Sequence, residues 1–442
     1  MTPPNIVYLH SHDTGRYVQP YGHAIPTPNI QLLADQGVLF RNAFAAASTC
    51  SGSRAAFATG RYPHSNGMMG LAHRGFELYE PRHHIVHTLR RAGYHSELIG
   101  EQHISADKHT LGYDRVHEID RNHVDVVAPL AVDFLRQAPP EPFFLSVGFF
   151  ETHRSFFEPS SVRDTLYSLP PANLPDVPET RADMAAFKAS ARSLDQGVGA
   201  VLNGLVAGGL GERTLVICTT DHGLAFPGSK ATLTDRGTGV MLIVRGPGGF
   251  GGGKVCDALV SQIDVYPTLT DLAGLERPDF LQGESLMPLV RGEADAVRDH
   301  VFAEITYHAA YEPQRAVRDR RFKYIRRYVD GGPVLANCDD SMTKDLMIGL
   351  GWADRPLDSE QLYDLALDPN EMRNVASEPG YAERRAELAG ALDDWMHETA
   401  DPLLEGDVPA PAGARLSTRG QRSAEEPTVL APGGQAAGTG AA

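Results

Sequence analysis

Acid and imidazole stand side by side at two places in this chain: His12-Asp13, just after the apolar run Ile6-Val7-Tyr8-Leu9, and Asp221-His222, just after Leu215-Val216-Ile217. Two carboxylates and two imidazoles suit a divalent cation. The oxygens favour calcium or magnesium, and the imidazoles pull toward manganese or zinc. A third stretch, Cys50-Ser51-Gly52-Ser53-Arg54-Ala55-Ala56-Phe57-Ala58-Thr59-Gly60, combines a candidate nucleophile with a helix start. Ser51, Gly52 and Ser53 are capping residues, so Cys50 falls at a helix N-terminus, where unpaired N–H groups and the macrodipole favour a thiolate or a bound oxyanion. Arg54, four residues on, can face the same space and offer a bidentate fork to sulfate or phosphate.

The elements that must position these groups follow an α/β rhythm. Asn5–Leu9, Ser96–Ile99, Pro142–Phe150, Thr214–Thr219 and Val240–Val244 read as strands, and Asn29–Gln36, Val86–Ala92, Val126–Gln137 and Arg181–Ala207 as helices. In an open parallel sheet the crevice lies beyond the carboxyl ends of the strands, so both acid-imidazole pairs fall where such sheets build sites. Gly15 and Gly223 follow closely and permit sharp exits. After about residue 295 the pattern shifts to shorter strands, Val301–Thr306 and Phe322–Arg326, and then a helix, Tyr381–Glu398. The expected division is a catalytic domain over 1–295, a smaller α+β domain over 296–410, and a disordered tail over 411–442, rich in Ala, Gly, Pro and Ser.

Composition narrows the partners. With 442 residues and a formal net charge of -16, the chain can bury a large core, and it lacks the basic surplus that nucleic acid or an anionic membrane rewards. No window approaches a membrane-spanning apolar run, and Met1-Thr2-Pro3-Pro4 leads straight into a strand without a signal-peptide pattern, so a cytoplasmic location is expected. The four cysteines, Cys50, Cys218, Cys256 and Cys338, are scattered, without metal spacing or the density of a disulfide scaffold. Asp339-Asp340 reads as a solvated turn, and His73-Arg74 could line a substrate entrance.

Over Asn5 to about Leu404 the chain resembles the type I sulfatases of the alkaline phosphatase superfamily, and most of all their heparan N-sulfatase branch. The stretches that carry the resemblance are Pro26-Thr27-Pro28-Asn29, Leu39-Phe40-Arg41-Asn42-Ala43-Phe44, the Cys50–Gly60 run, Gly60-Arg61-Tyr62-Pro63-His64-Ser65-Asn66-Gly67-Met68, Asp195-Gln196-Gly197-Val198-Gly199 and Thr219-Thr220-Asp221-His222-Gly223. Later markers are Gln361-Leu362-Tyr363-Asp364-Leu365, Asp368-Pro369-Asn370-Glu371 and Trp395-Met396-His397-Glu398-Thr399. The resemblance implies an alkaline-phosphatase-like sandwich, with a large, mainly parallel sheet flanked by helices and a smaller C-terminal α+β domain.

The family also implies roles. A formylglycine-generating enzyme would convert Cys50 to 3-oxoalanine (formylglycine), whose hydrate attacks sulfur: one hydroxyl becomes sulfated and the other then expels sulfate. One divalent metal would be held by Asp13, Asp221, His222, the residue at His12 and the modified residue at Cys50. The family points to Ca2+, with Mn2+ or Zn2+ left open by the imidazoles. Arg54 matches the arginine that orients the modified residue, and His103 the histidine that takes the diol proton. His153 matches a sulfate-binding histidine able to act as general acid, and Lys230 a basic residue that clamps sulfate. The implied partner is a small anionic sulfated substrate, a sulfated or N-sulfated sugar, with a homodimer left open.

Three positions depart from the family pattern. Gly52 stands where the family has proline, and the converting enzyme reads cysteine, proline and arginine together. Glu101 occupies the substrate-contacting position of a lysine, so either another cation, with Lys108 one candidate, compensates or the substrate differs from a plain sulfate monoester. His12 replaces the first residue of an aspartate pair. Two alternatives therefore accompany the sulfatase reading: phosphodiester or phosphonate monoester hydrolysis on the same metal-plus-nucleophile layout, and a degenerate binding protein that keeps the fold without turnover.

Overall fold

Asn5–Ser11 forms strand β1 in the computed structural model, which describes residues 3–432. Its unbroken apolar run is what a strand covered on both faces requires. The other strands of its sheet are β2 (Val38–Phe44), β3 (His95–Gly100), β4 (Arg115–Val116), β5 (Phe143–Gly148), β6 (Thr214–Thr220), β7 (Leu242–Arg245) and β8 (Lys254–Ser261), in the spatial order β4-β3-β5-β1-β6-β7-β2-β8. β1 pairs in parallel with β5 on one side, Leu9 opposite Val147, and with β6 on the other, Leu9 opposite Cys218. Only β7 runs against its neighbours.

Helices cover both faces. On one, α1 (Pro28–Gln36) and the helices Val124–Arg136 and Pro178–Ala207 pack Ile30, Leu33, Val127, Leu194 and Val201 onto the inward residues of β1, β5 and β6. On the other, α2 (Cys50–Thr59) joins the helices Ile85–Arg91 and Val265–Ala273 through Phe57, Leu89 and Tyr266. Asp195, in the long helix, caps α1: it accepts the N–H groups of Asn29 and Ile30 at 3.0 and 2.9 Å and the Asn29 Nδ2 amide at 2.8 Å. Gly199 lets Asn29 approach, since a Cβ there would meet the Asn29 side chain at 2.5 Å. Asp195→Ala leaves those largely buried donors unpaired, and is expected to cost about 2–4 kcal/mol, read as a lower urea midpoint with an unchanged slope.

A second sheet follows, antiparallel in the order β12-β11-β10-β9, from β9 (Val301–Tyr307), β10 (Tyr311–Arg318), β11 (Phe322–Arg327) and β12 (Glu360–Asp364). The helix Ala382–Glu398 lies on it through Leu388, Leu392, Trp395 and Met396. The two sheets are joined where Glu304 N–H donates to the Ala46 carbonyl at 2.9 Å, just before α2.

Several strands escape the sequence pattern for visible reasons. β2 carries Arg41 and Asn42 in mid-run, and the first half of β8 faces solvent at the sheet edge. The tail expected to be disordered from 411 is ordered as far as 432: β13 (Arg415–Leu416) and β14 (Val429–Leu430) pair as an antiparallel ribbon. Its composition gives it no core of its own, but remote cations take its polar groups. Arg74 donates to Ser417 Oγ and the Ala424 carbonyl at 3.2 and 2.9 Å, and Lys344 Nζ to the Arg422 carbonyl at 2.6 Å. The remainder of that expected tail, 433–442, lies outside the described residues. No described helix is long and apolar enough to cross a membrane.

Candidate active site

Four adjacent parallel strands, β3-β5-β1-β6, each deliver chemistry just past their carboxyl ends. Glu101 and His103 follow β3, His153 follows β5, His12 and Asp13 follow β1, and Asp221 and His222 follow β6. α2 starts at Cys50 after an extended Thr49, and Cys50 Sγ sits 3.3 Å from His222 Nε2. The exits from the strands are tight. Asp13 and His103 adopt left-handed φ values of 50° and 51°. A Cβ on Gly223 would lie 1.7 Å from the Arg236 carbonyl, so only glycine fits there.

His12, Asp13, Cys50 and Asp221 bring one donor atom each within 4.8 Å of one another, all buried. His12 Nδ1 lies 3.0 Å from Asp221 Oδ2, and His222 Nε2 lies 3.3 Å from Asp13 Oδ1 and 3.7 Å from Asp221 Oδ2. Three of these atoms, His12 Nδ1, Asp13 Oδ1 and Asp221 Oδ2, have no hydrogen-bond partner although they are buried. Orphaned polar atoms converging on one point are what a cation site requires, so the expected ligand set fits a divalent ion.

Arg54 does not offer a free fork to an anion. Its Nη1 meets His10 Nδ1 at 2.6 Å, while Nη2 donates to the Ser11 carbonyl at 2.8 Å and pairs with Asp221 Oδ2 at 3.1 Å. It ties the end of β1 to Asp221. Ser53 Oγ donates to the Asp221 carbonyl at 2.5 Å, fastening α2 to the same strand end. Burial alone would raise the Asp221 carboxyl, but His222, Arg54 and His12 hold it well below the usual carboxylate range.

Lys230 is buried between two carboxylates, 3.0 Å from Asp13 Oδ2 and 3.0 Å from Asp339 Oδ2. Burial favours the neutral amine, yet those acids keep its ammonium well above the ordinary lysine value. His153 reaches toward Asp13 Oδ2 at 3.9 Å and packs edge-on against His12. His103 contacts His73, Nε2 to Nδ1, at 2.7 Å; burial, His73 and Arg54 depress it well below the usual imidazole range, so it is neutral and able to accept a proton. Burial pushes the Cys50 thiol well up, with Asp13 and Asp221 adding to the rise against Lys230 and Arg54. Glu101 accepts from Asn122 Nδ2 at 2.7 Å. Lys108, weighed as a compensating cation, is paired with Glu118 at 2.8 Å.

Three residues of the site were not legible as such. Asp339, read as part of a solvated turn, is the second partner of Lys230; burial would raise it, but Lys230, His153 and His308 hold its carboxyl below the ordinary range. His308, from just beyond β9, is buried beside Lys230 and Asp339, its Nδ1 without a partner. His73 meets His103, while its neighbour Arg74 faces the C-terminal ribbon. Only His73, weighed for the substrate entrance, left a trace in the sequence.

The sulfatase family model matches residues 4–275, more than half of the chain, and a second model, N-sulphoglucosamine sulphohydrolase C-terminal, matches 229–334. Human (Homo sapiens) N-sulphoglucosamine sulphohydrolase is 30% identical over 91% of this chain and 91% of its own length. A protein solved in complex with its substrate D-glucosamine-2-N,6-O-disulfate superposes with a TM-score of 0.72 at 18% identity, covering 91% of this chain and 99% of that one. The phosphonate monoester hydrolase of Agrobacterium radiobacter superposes with a TM-score of 0.68 at 22% identity, covering 91% and 97%. At those identities the two structures speak for the fold alone.

Proposed function

The chain belongs to the sulfatase family, and on that premise we propose that it is a metal-dependent sulfohydrolase that removes sulfate ester or sulfamate groups from a small sulfated sugar. The observation that carries the reading is the convergence of Cys50, His12, Asp13, Asp221 and His222 at one buried point, with His103 and His153 at its edge. The 30% identity to a sulphohydrolase whose name specifies an N-sulphated sugar supports the substrate class.

His12, Asp13, Asp221 and His222 would hold a divalent ion, with residue 50 as a further donor. When bound, the ion supplies a Lewis acid beside the nucleophile and the sulfate oxygens; formylglycine at position 50 supplies a gem-diol. The chain's own groups do the rest. Arg54 anchors Asp221. His103, held neutral, accepts the proton of the attacking hydroxyl. His153, partly open to solvent, donates one to the leaving group. Lys230 offsets charge on Asp13 and brings a cation to the sulfate side of the cluster.

The deciding measurement is the mass of the tryptic peptide Asn42–Arg54 from protein made with and without a formylglycine-generating enzyme, alongside turnover of sulfated sugars. An aldehyde at Cys50 with sulfate release supports the reading, and an intact thiol in both samples with no release sinks it. Gly52→Pro restores the cysteine, proline and arginine triplet at the third helical position, where a missing N–H costs nothing. A Cβ there would lie 3.1 Å from Thr49 Oγ1 and 3.3 Å from Met68 O, so those neighbours must give by a few tenths of an ångström. The variant is expected to raise the aldehyde fraction at least about twofold in the same mass measurement, as it supplies the recognition residue that Gly52 lacks.

Phosphonate or phosphodiester hydrolysis is the second reading. It is kept because Glu101, a fixed carboxylate where the family places a lysine against sulfate, weakens the case for a plain sulfate monoester. A matched panel of sulfate, phosphate diester and phosphonate substrates separates the two.

A further inference from the structure

We infer that this site selects a borderline transition ion of the Zn2+ class and not Ca2+, because two imidazole nitrogens, His12 Nδ1 and His222 Nε2, stand among its donor atoms. The inference rests on the metal-dependent reading above and concerns which ion these residues hold.

The decisive detail is the second nitrogen of His222. Its Nδ1 lies 3.0 Å from the Gly223 carbonyl, which can only accept, so the proton sits on Nδ1 and Nε2 is left with its lone pair. That lone pair faces Asp13 Oδ1 at 3.3 Å and Asp221 Oδ2 at 3.7 Å, two atoms that likewise can only accept. His12 Nδ1 and Asp221 Oδ2 stand 3.0 Å apart without hydrogen-bond geometry between them, and Asp221 Oδ2 also lies 3.1 Å from Arg54 Nη2. The nearest donors are that guanidinium nitrogen and the Cys50 thiol, 3.3 Å from His222 Nε2; Asp13 Oδ1 has no hydrogen-bond partner, so a cation among these atoms relieves the repulsion that remains.

The donor types then choose the cation. Calcium takes about six to eight oxygens and gains little from imidazole, whereas zinc binds imidazole and carboxylate in four-coordinate sites. Ligands at about 2.0–2.2 Å from one tetrahedral ion stand about 3.3–3.6 Å apart, and the separations of 3.0, 3.3 and 3.7 Å here bracket that spacing. Of the carboxylate oxygens, Asp13 Oδ2 is taken by Lys230 and Asp221 Oδ1 by the Asp13 and His222 N–H groups, which removes two that calcium would use. Glu101 is tied to Asn122, and among the described residues no third carboxylate joins the group. Cys50 Sγ lies at its edge, 3.3 Å from His222 Nε2, and as a thiolate it would strengthen the preference. The two imidazoles are present whichever form residue 50 takes.

The test is metal binding, without reference to turnover. Chelator-stripped protein is equilibrated with Zn2+ against a hundredfold excess of Ca2+, desalted, and read by native mass spectrometry and elemental analysis; Co2+ is added to a second sample and its visible absorption recorded. One Zn2+ per chain with no retained Ca2+, and intense Co2+ ligand-field bands of a four-coordinate centre, are expected. The His12→Asp/His222→Asn double variant should lose those bands and shift the Zn2+ to Ca2+ selectivity toward calcium by at least about 100-fold. Retention of Ca2+ by the native chain overturns the inference, as do failure to retain either ion and Zn2+ binding that the double variant leaves unchanged. The native-chain competition and Co2+ spectrum decide the matter even where the variant does not fold. A chain that holds Zn2+ on both imidazoles yet releases no sulfate keeps this inference and loses the sulfohydrolase reading.

Discussion

Cys50→Ala is expected to lower kcat/KM on a sulfated substrate by about 10^4-fold or more while leaving the fold intact. A nucleophile held in a preorganised site acts as a unit with its acid, base and electrophile, so its loss removes nearly all of the chemical step. Stability should barely change. Cys50 is the first helical residue of α2, where alanine is well tolerated, and its side chain makes a single polar contact, to His222 Nε2. The cost is about 1 kcal/mol or less of lost sulfur packing. Left unmodified, the thiol is a poor nucleophile, since burial raises it well above its usual value and keeps it protonated at neutral pH. Iodoacetamide should therefore label Cys50 slowly near pH 7 in protein made without the converting enzyme. Sulfatase activity within tenfold of the native chain in Cys50→Ala would remove residue 50 from the reaction.

The largest effect on stability is expected at Arg315, whose side chain is fully buried. Its guanidinium pairs with Asp401 at 2.5 and 2.9 Å, reaches Glu304 Oε2 at 3.2 Å, and donates to the carbonyls of Ile305 and Gln314 at 2.9 Å each. Glu304 in turn accepts from the His64 N–H and Nδ1 at 2.8 and 2.9 Å. His64, Glu304 and Asp401 come close enough to hold an ion, but Arg315 already supplies the charge, so the cluster acts as a clamp between the second sheet and the short helix Pro63–Asn66 that follows α2.

Arg315→Met strands two buried carboxylates without their cation. Breaking such a network from one side costs about 3–5 kcal/mol, on the order of 3–6 °C in the thermal midpoint of a chain this long. Pairing it with Asp401→Asn should cost less than the sum of the single changes, because the second removes the charge the first leaves unpaired. The same pair gives a pH signature. Burial alone would raise Asp401, but the hydrogen bonds and charge of Arg315 hold its carboxyl below the ordinary value. Its contribution is thus present above the unfolded-state pKa of about 3.9 and is lost as pH falls through the lower folded value. The midpoint of Arg315→Met should accordingly depend less on pH in the acid range than that of the native chain. A midpoint within about 1 °C of native at neutral pH, small against the shift expected of a buried ion pair, would show that the cluster does not hold the fold.

How much of this was legible in the sequence depended on distance along the chain. The acid-imidazole pairs, the apolar strands that precede them and the helix start at Cys50 are local patterns, and they by themselves determined the α/β class, the placing of His12, Asp13, Asp221 and His222 at strand ends, and a helix N-terminus under Cys50. The family pattern added His103, His153 and Lys230. Only the tertiary structure decided where charges are spent. Arg54 is consumed by His10, Ser11 and Asp221, and Lys230 is shared with Asp339, 109 residues away. The ribbon over 411–432 is held by Arg74 and Lys344 from remote elements. Backbone hydrogen bonds and side-chain periodicity act between near neighbours and leave a mark in the local order of residues. Ion pairs, buried lone pairs and the partners of a polar tail act through space, between residues that only the completed fold brings together.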